Sequence, residues 1–331
     1  MAPLSTFEQL RILTAMNYVA RGIHVVAELG VADAVGDAPV PVAAVAAATG
    51  TQPDELGRLL RVLAAYDVFT VQGDLVAHTP MSHLLRSDHP SSLRGFARMI
   101  GLSVNWHATE HLAHSLKTGE AGMRVAVPEG VWAHYASHPA DARIFDASMA
   151  SRASLMVPAI AAAYDFSTLP RLADIGGGRG HLLNAVLQTA PGTRGILFDL
   201  PHVVAASQQA GLHPSITCHA GDFFADTLPE ADGYILMEIL HDWADEPADR
   251  IVAAVRRAAP TGARLLIMEI IPQPTPGPAW AKTLDIVMLA HFGGKQRTAA
   301  EYEALLQRHG FTFRRQIDTP AGISILEAAA V

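Results

Sequence analysis

The chain has 331 residues, enough for two domains or for one large domain with an appendage. Half of the residues are hydrophobic and 17% are charged, so a sizeable core is available and disorder is not expected. A net charge of −8 argues against a chain devoted to gripping phosphate backbones, and one cysteine, Cys218, excludes an internal disulfide or a thiolate zinc cluster.

Residues 1 to about 100 read as mostly helical. Leu10, Leu13, Met16 and the run Val19 to Val26 form one apolar stripe, expected as a first long helical stretch. Val42–Thr49 and Asp54–Ala65 follow as shorter helices with Gly50 between them. Val68–Val71, the Gly73–Asp74 turn and Leu75–His78 read as a hairpin. Helices followed by a hairpin are the layout of a winged helix, which raises DNA binding. The helix that would read bases carries only Arg58 and Arg61 against Asp54 and Glu55. Packing or dimerisation is the better expectation, with no nucleic-acid partner.

Residues 101–165 read as helical connections broken at Gly119, Gly122, Pro128 and Pro139. Within them His107, Glu110, His111 and His114 fall on one helical face, and H-x-x-E-H is the spacing of one zinc-peptidase class. In a chain with 16 histidines and no downstream acidic ligand pattern, a polar helix face is the simpler reading, and no metal is expected. The start of the sequence shows no basic-then-apolar signal pattern, and no run of 18 apolar residues occurs anywhere. A soluble, cytoplasmic protein with no membrane partner is expected.

From residue 171 strands and helices alternate. Leu172–Ile175 is an apolar run ending at Gly176, Gly177, Gly178, Arg179 and Gly180; His181–Thr189 has helical spacing, and Gly195–Phe198 starts a strand closed by Asp199. A glycine loop between strand and helix lets a ligand approach bare backbone N–H groups at the helix's positive end. An acidic residue about 20 positions on suits a ribose diol. The pattern is G-x-G-x-G rather than the dinucleotide G-x-G-x-x-G, since His181 stands where the third glycine would be. Val203–Gln209 reads as a helix, and Ser215–His219 as a strand leading to Asp222 and Phe223. Gly233–Met237 and Arg264–Ile271 read as further strands, with Arg250–Ala259 helical between them. Thr298 with Glu301 makes a capping-box helix start, and Phe311–Ile317 and Ile323–Ala328 close the chain as strands. Alternation of this kind specifies an α/β doubly wound sheet with ligands at the carboxyl ends of its strands.

Polar groups cluster after those strand ends: Glu238, His241 and Asp242, then Glu269, then Gln296. An imidazole with an ordinary pKa near 6.5 is neutral at working pH and can take a proton from a hydroxyl as that oxygen attacks. A carboxylate on its other nitrogen would fix the tautomer. An alternative for Asp242 is a helix cap.

The motifs DIGGGRG, FDLP, GDFF, LHDWADE, MEIIP, DIVMLAHFGGKQRT and EYEALLQRHGF occur in this order. Together they resemble the small-molecule O-methyltransferases dependent on S-adenosylmethionine (SAM), both the plant caffeate type and the bacterial antibiotic- and polyketide-tailoring enzymes. The resemblance implies a class I methyltransferase domain of Rossmann-like doubly wound form over residues 101–331, with 101–165 lining the substrate pocket. It implies a winged-helix-like dimerisation domain over residues 1–100, a homodimer, and a small aromatic or polyketide-like substrate from secondary metabolism. Its implied catalytic residues are His241 as base, Glu269 as its holder, and Asp242. Cofactor contacts carried over are Arg152, Asp174, Gly176, Gly178, Asp199, Leu200, Asp222 and Phe223. Substrate contacts carried over are Trp106, Phe145, Met149, Met288, His291, Phe292 and Gln296. One departure stands out: Gln296 replaces a second glutamate common in these enzymes, leaving Glu269 to offset the imidazolium alone or implying a more acidic substrate. Other readings of the same motifs are a hydroxylase or decarboxylase on this scaffold, or a non-catalytic ligand-sensing regulator.

Overall fold

The computed structural model describes residues 4–331. These form two compact units. One takes the chain through Trp106 and then Trp132–Arg152; the other consists of His107–Val131 and Ala153–Val331. The stretch 101–165, expected as a helical connection within the second domain, is therefore shared between the two.

In the first unit the expected long helical stretch is two helices, α1 (Thr6–Thr14) and α2 (Met16–Leu29), parted at Ala15. Helix α1 starts from a reciprocal capping box between Ser5 and Glu8 and has no buried residue. A short α3 (Val31–Ala34) leads to β1 (Val40–Pro41), α4 (Val42–Thr49) and α5 (Pro53–Ala64). The hairpin is β2 (Phe69–Gln72) and β3 (Leu75–His78), and β1 pairs with β3 as a third antiparallel strand. Leu56, Leu60 and Leu63 on α5 pack with Val26, Val31, Val45, Phe69 and Val76 as this unit's core. The apolar stripe of α5 thus does structural work, and Arg58 and Arg61 are its only basic residues. Helices α6 (Pro80–His83), α7 (Arg94–Ile100) and α8 (Ser103–Glu110) follow.

Helix α9 spans Leu112–Thr118, so the histidine-rich segment is interrupted at His111 and does not present one continuous helical face. Among the described residues no group of three or more acidic, histidine or cysteine side chains could hold a metal ion. After α10 (Met123–Ala126) and α11 (Val131–Ser137) comes α12 (Pro139–Ala163), which carries Pro158 inside it. No helix among the described residues is long and apolar enough to cross a membrane.

The second unit is a seven-stranded sheet. In chain order its elements are β4 (Arg171–Ile175), α13 (His181–Thr189), β5 (Arg194–Asp199), α14 (Pro201–Ala210), β6 (Ile216–Ala220), β7 (Gly233–Met237) and α15 (Asp245–Ala258). Then come β8 (Arg264–Glu269), α16 (Trp280–Phe292), α17 (Ala299–Arg308), β9 (Phe311–Asp318) and β10 (Ser324–Ala330). The strand order is β6-β5-β4-β7-β8-β10-β9. Strands β4 to β8 pair in parallel, while β10 runs antiparallel to both β8 and β9. The order reverses between β4 and β7, so the loops leaving those two strands flank a switch-point crevice.

Side chains alternate between two cores. Tyr234, Leu236, Leu265 and Ile267 face α15 and α17, while Ile235, Leu266 and Met268 face α13 and the end of α12. Ile235 lies on a central strand with no exposure. Ile235→Ala should therefore lower unfolding free energy by about 2–5 kcal/mol through lost burial and the cavity left behind. Urea unfolding checks this, as a lower midpoint with an unchanged slope.

Candidate active site

The loop after β4 is built for close approach. Gly176, Gly178 and Gly180 have φ of 73°, 56° and 73°, the left-handed region where a side chain is strained. A Cβ on Gly176 would come within 2.6 Å of Ile239 Cδ1, and one on Gly177 within 2.7 Å of the Asp174 carboxylate. The Gly178 N–H donates to Asp199 Oδ2 at 2.8 Å and the Leu200 N–H donates to Oδ1 at 2.7 Å. The carboxylate of Asp199 is thereby aimed with lone pairs to spare. Burial raises its pKa while those two N–H groups pull the other way. Asp174 is buried behind the loop, where burial and then the charge of Asp199 push it up to about 7. Asp222 Oδ1 accepts the Phe224 N–H at 2.8 Å, and Phe223 lies edge-on to Trp243 at 6.1 Å. A backbone cradle, a pre-aimed carboxylate and an aromatic edge together fit an adenosine-bearing cofactor.

Across the switch point, Glu238 follows β7 and a short 3-10 turn, Leu240–Asp242, carries His241. His241 is 6% exposed. Glu269, fully buried at the end of β8, lies with Oε2 2.9 Å from Nδ1, while its Oε1 accepts the His241 backbone N–H at 3.2 Å. Oε2 meets Nδ1 at ion-pair distance but off the line of a well-formed hydrogen bond. Asp242 Oδ1 is 3.5 Å from Nε2. Burial disfavours the imidazolium, but the Glu269 carboxylate, then Asp242 and Glu238, outweigh it and push the pKa up to about 9. The neutral imidazole expected from an ordinary pKa is therefore corrected: three carboxylates hold the ring protonated at neutral pH when nothing else is bound.

The O-methyltransferase domain family matches residues 109–312, and the O-methyltransferase dimerisation domain matches residues 13–88. The chain belongs to this O-methyltransferase family. It is 37% identical to a phenazine O-methyltransferase of Lysobacter antibioticus, over 99% of this chain and 97% of that one. It is also 37% identical to a mitomycin biosynthesis 6-O-methyltransferase of Streptomyces lavendulae, over 92% and 88%. Among solved structures it resembles an O-methyltransferase from neocarzinostatin biosynthesis in complex with SAM and 2-hydroxy-5-methyl naphthoic acid. That match has a TM-score of 0.80 and 32% identity, and covers 95% of this chain and 96% of that one.

The remaining expected residues of this methyltransferase divide between the units. Met288, His291 and Phe292 lie on α16 in the second unit; Met288 is buried, and His291 Nδ1 bonds the Val287 carbonyl at 2.9 Å. Burial lowers the His291 pKa, the carbonyl opposing it, and its Nε2 is buried without a hydrogen bond. Trp106, Phe145, Met149 and Arg152 lie in the first unit. There Phe145 packs against Trp132 and Tyr135 at ring separations of 5.6 and 4.8 Å. Gln296, carried over as a substrate contact, is 4% exposed and has its amide nitrogen 3.0 Å from His241 Nδ1. That nitrogen can donate only to an Nδ1 lone pair, whereas an Nδ1–H needs the amide oxygen turned inward.

Sequence reasoning placed the segment Gly293–Thr298 at the crevice but missed its backbone contact with the His241 turn. The Lys295 N–H donates to the His241 carbonyl at 2.9 Å, and a Cβ on Gly294 would overlap that same carbonyl. Arg297, 2% exposed, was not singled out either. The paired glycines before Lys295 were the available signal, because adjacent glycines mark close backbone approach. Glu238 has φ of 53°, uncommon for a side chain of its size, and no local pattern foretold it.

A folded-state pKa above the ordinary 6.5 makes the His241 pair a stabilising charge fully present below about pH 6.5 and lost as pH rises through about 9. Thermal unfolding of the cofactor-free methyltransferase should lose more midpoint temperature over that window than the His241→Gln protein does. Parallel curves would refute the paired imidazolium.

Proposed function

We propose that this O-methyltransferase transfers the methyl group of SAM to a hydroxyl of a small aromatic or polyketide-like compound, with His241 as general base. The observation that carries the reading is the buried His241–Glu269 pair, standing at the end of β7 across the switch point from the glycine cradle. When bound, SAM supplies a methyl group already activated on its sulfonium.

The chain's own part is to bind, to orient and to accept a proton. Asp199 takes the ribose hydroxyls through the lone pairs left by its two N–H partners, and Asp222 with Phe223 takes the adenine. Asp174, Gly176, Gly178 and Leu200 would form the floor of the cofactor site. Met288, His291 and Phe292 on α16 supply an apolar and aromatic lining suited to an aromatic substrate. His241 holds its ring proton on Nδ1 toward Glu269, leaving the Nε2 lone pair for the substrate hydroxyl, with Asp242 alongside. His241 would give up its second proton more readily with a cation held in the glycine cradle, because a like charge disfavours the imidazolium.

The apolar residues Phe7, Leu10 and Leu13 of α1 are 74%, 66% and 66% exposed. Exposed apolar stripes of this kind mark interfaces. The chain therefore forms a homodimer through its N-terminal helices, and light scattering should return about twice 35.2 kDa.

Asp199→Ala should weaken SAM binding by about 1.5–3 kcal/mol, the worth of hydrogen bonds to a charged acceptor. Unchanged calorimetric affinity would refute the ribose assignment. His241→Gln should leave SAM affinity nearly intact and lower turnover roughly 10²–10⁴-fold. The defect should shrink as pH approaches the substrate hydroxyl's own pKa, since an ionised oxygen needs no base. Equal turnover of wild type and variant at neutral pH would mean that His241 is not the base.

A further inference from the structure

The turn that carries His241 has little to hold it from within. It is one turn of 3-10 helix, Leu240–Asp242, with no side-chain cap. Its local bonds are long: the Asp242 N–H to the Ile239 carbonyl at 3.2 Å, and the Trp243 N–H to the Leu240 carbonyl at 3.3 Å. Short 3-10 pieces have poor hydrogen-bond geometry and depend on their surroundings. A base must nevertheless sit within hydrogen-bond reach of its proton, so something outside the turn has to fix it.

We infer that Arg297 is the positioning residue that fixes this turn and, through it, the orientation of His241. This rests on the reading of His241 as base. The Arg297 guanidinium has five N–H donors in a rigid plane, and its bonds use that whole fork. Nη1 donates to the Leu240 carbonyl at 2.8 Å and to the Lys295 carbonyl at 3.4 Å. Nη2 donates to the Trp243 carbonyl at 2.9 Å and to Asp245 Oδ1 at 2.8 Å, and Nε donates to the same carboxylate oxygen at 3.1 Å. Leu240 and Trp243 bracket His241 and Asp242, so one buried side chain ties down both ends of the turn. The Lys295 N–H holds the His241 carbonyl between them, and Gly294 lies too close to that carbonyl to carry a side chain.

An ion pair with Asp245 alone does not account for the site. The Asp245 side chain is 64% exposed and could be met by an arginine left in solvent, whereas that of Arg297 is 2% exposed. Taking a guanidinium out of water is unfavourable unless its donors are all satisfied. Here two of the bonds go to the Leu240 and Trp243 carbonyls on either side of His241 and Asp242. Lysine, a point charge with three donors, cannot span two carbonyls and a carboxylate in that geometry.

The test uses the full chain and the substitution Arg297→Lys. Amide hydrogen exchange in the 240–243 turn of the cofactor-free protein should quicken at least about tenfold, with the central strands unchanged. Turnover should fall by up to about 10²-fold, the cost expected of a misplaced catalytic group, while SAM affinity stays within about twofold. The double variant Arg297→Lys/His241→Gln should turn over within about threefold of His241→Gln alone, because a clamp acting through the histidine has nothing left to act on. Losses that multiply in the double variant, or unchanged exchange with full turnover, would overturn the inference. Should Arg297→Lys fail to fold, Asp245→Asn loosens the same clamp from its exposed side. It should give a smaller loss with the same dependence on His241. A His241→Gln enzyme at full rate defeats the base reading and, with it, any role of Arg297 in proton transfer. The exchange measurement then still decides whether Arg297 fixes the turn.

Discussion

A protonatable ring buried against a buried carboxylate is the constraint around which the catalytic unit is arranged. Glu269 has no exposure and His241 has 6%, so neither charge can be relieved by water. Breaking such a pair by removing one partner leaves an uncompensated buried charge, a loss of several kcal/mol in comparable cases. The surrounding backbone is committed accordingly. Glu269 closes β8, the His241 turn leaves β7, and the parallel pairing of those strands brings the two residues together. Both faces of the sheet are then free to be apolar, because the polar chemistry lies beyond the strand ends.

The glycine loop and the histidine turn approach each other through a contact that neither motif announces. Ile239, two residues before His241, sits where a Cβ on Gly176 would be. Glycine at 176 thus serves twice, for its positive φ and for the room it leaves to the facing loop. The two halves of the crevice are locked by shape as well as by any shared ligand. The left-handed backbone at Glu238 stores local strain where the chain turns out of β7, as non-glycine residues in that region commonly do near functional sites.

Much of this was legible in the sequence wherever the signal was local. Strand β4, its glycine loop, α13 and β5 follow from apolar runs and glycines in one continuous stretch, and the Thr298 capping box emerged as read. The break between α1 and α2 was not legible, since Ala15 is a good helix former and carries no stop signal. Strand β1, only two residues long, lies below any periodic pattern. The antiparallel course of β10 could have been read. Only five residues separate β9 from β10, too few for a parallel crossover. The clamp on the His241 turn was out of reach, because Arg297 and Leu240 are 57 positions apart. The family resemblance supplied the Glu269 partner, but not the burial that lets its charge outweigh desolvation at His241.

The amide at position 296 ties these threads together. A second glutamate beside Nδ1 would add a buried negative charge to a ring already facing Glu269, Asp242 and Glu238. With the imidazole pushed to about 9 by those three alone, another carboxylate would hold the proton still more tightly and make the base form scarcer. Gln296 keeps the shape and the contact, 3.0 Å from Nδ1, without the charge. The amide also has two faces. Its oxygen, turned inward, can accept the Nδ1–H that faces Glu269, which supports the tautomer with a free Nε2 lone pair without adding charge. In this chain the departure from the second glutamate is therefore a balance of charge in a crowded acidic site, and the burden of orientation shifts to Glu269 and to the backbone clamp.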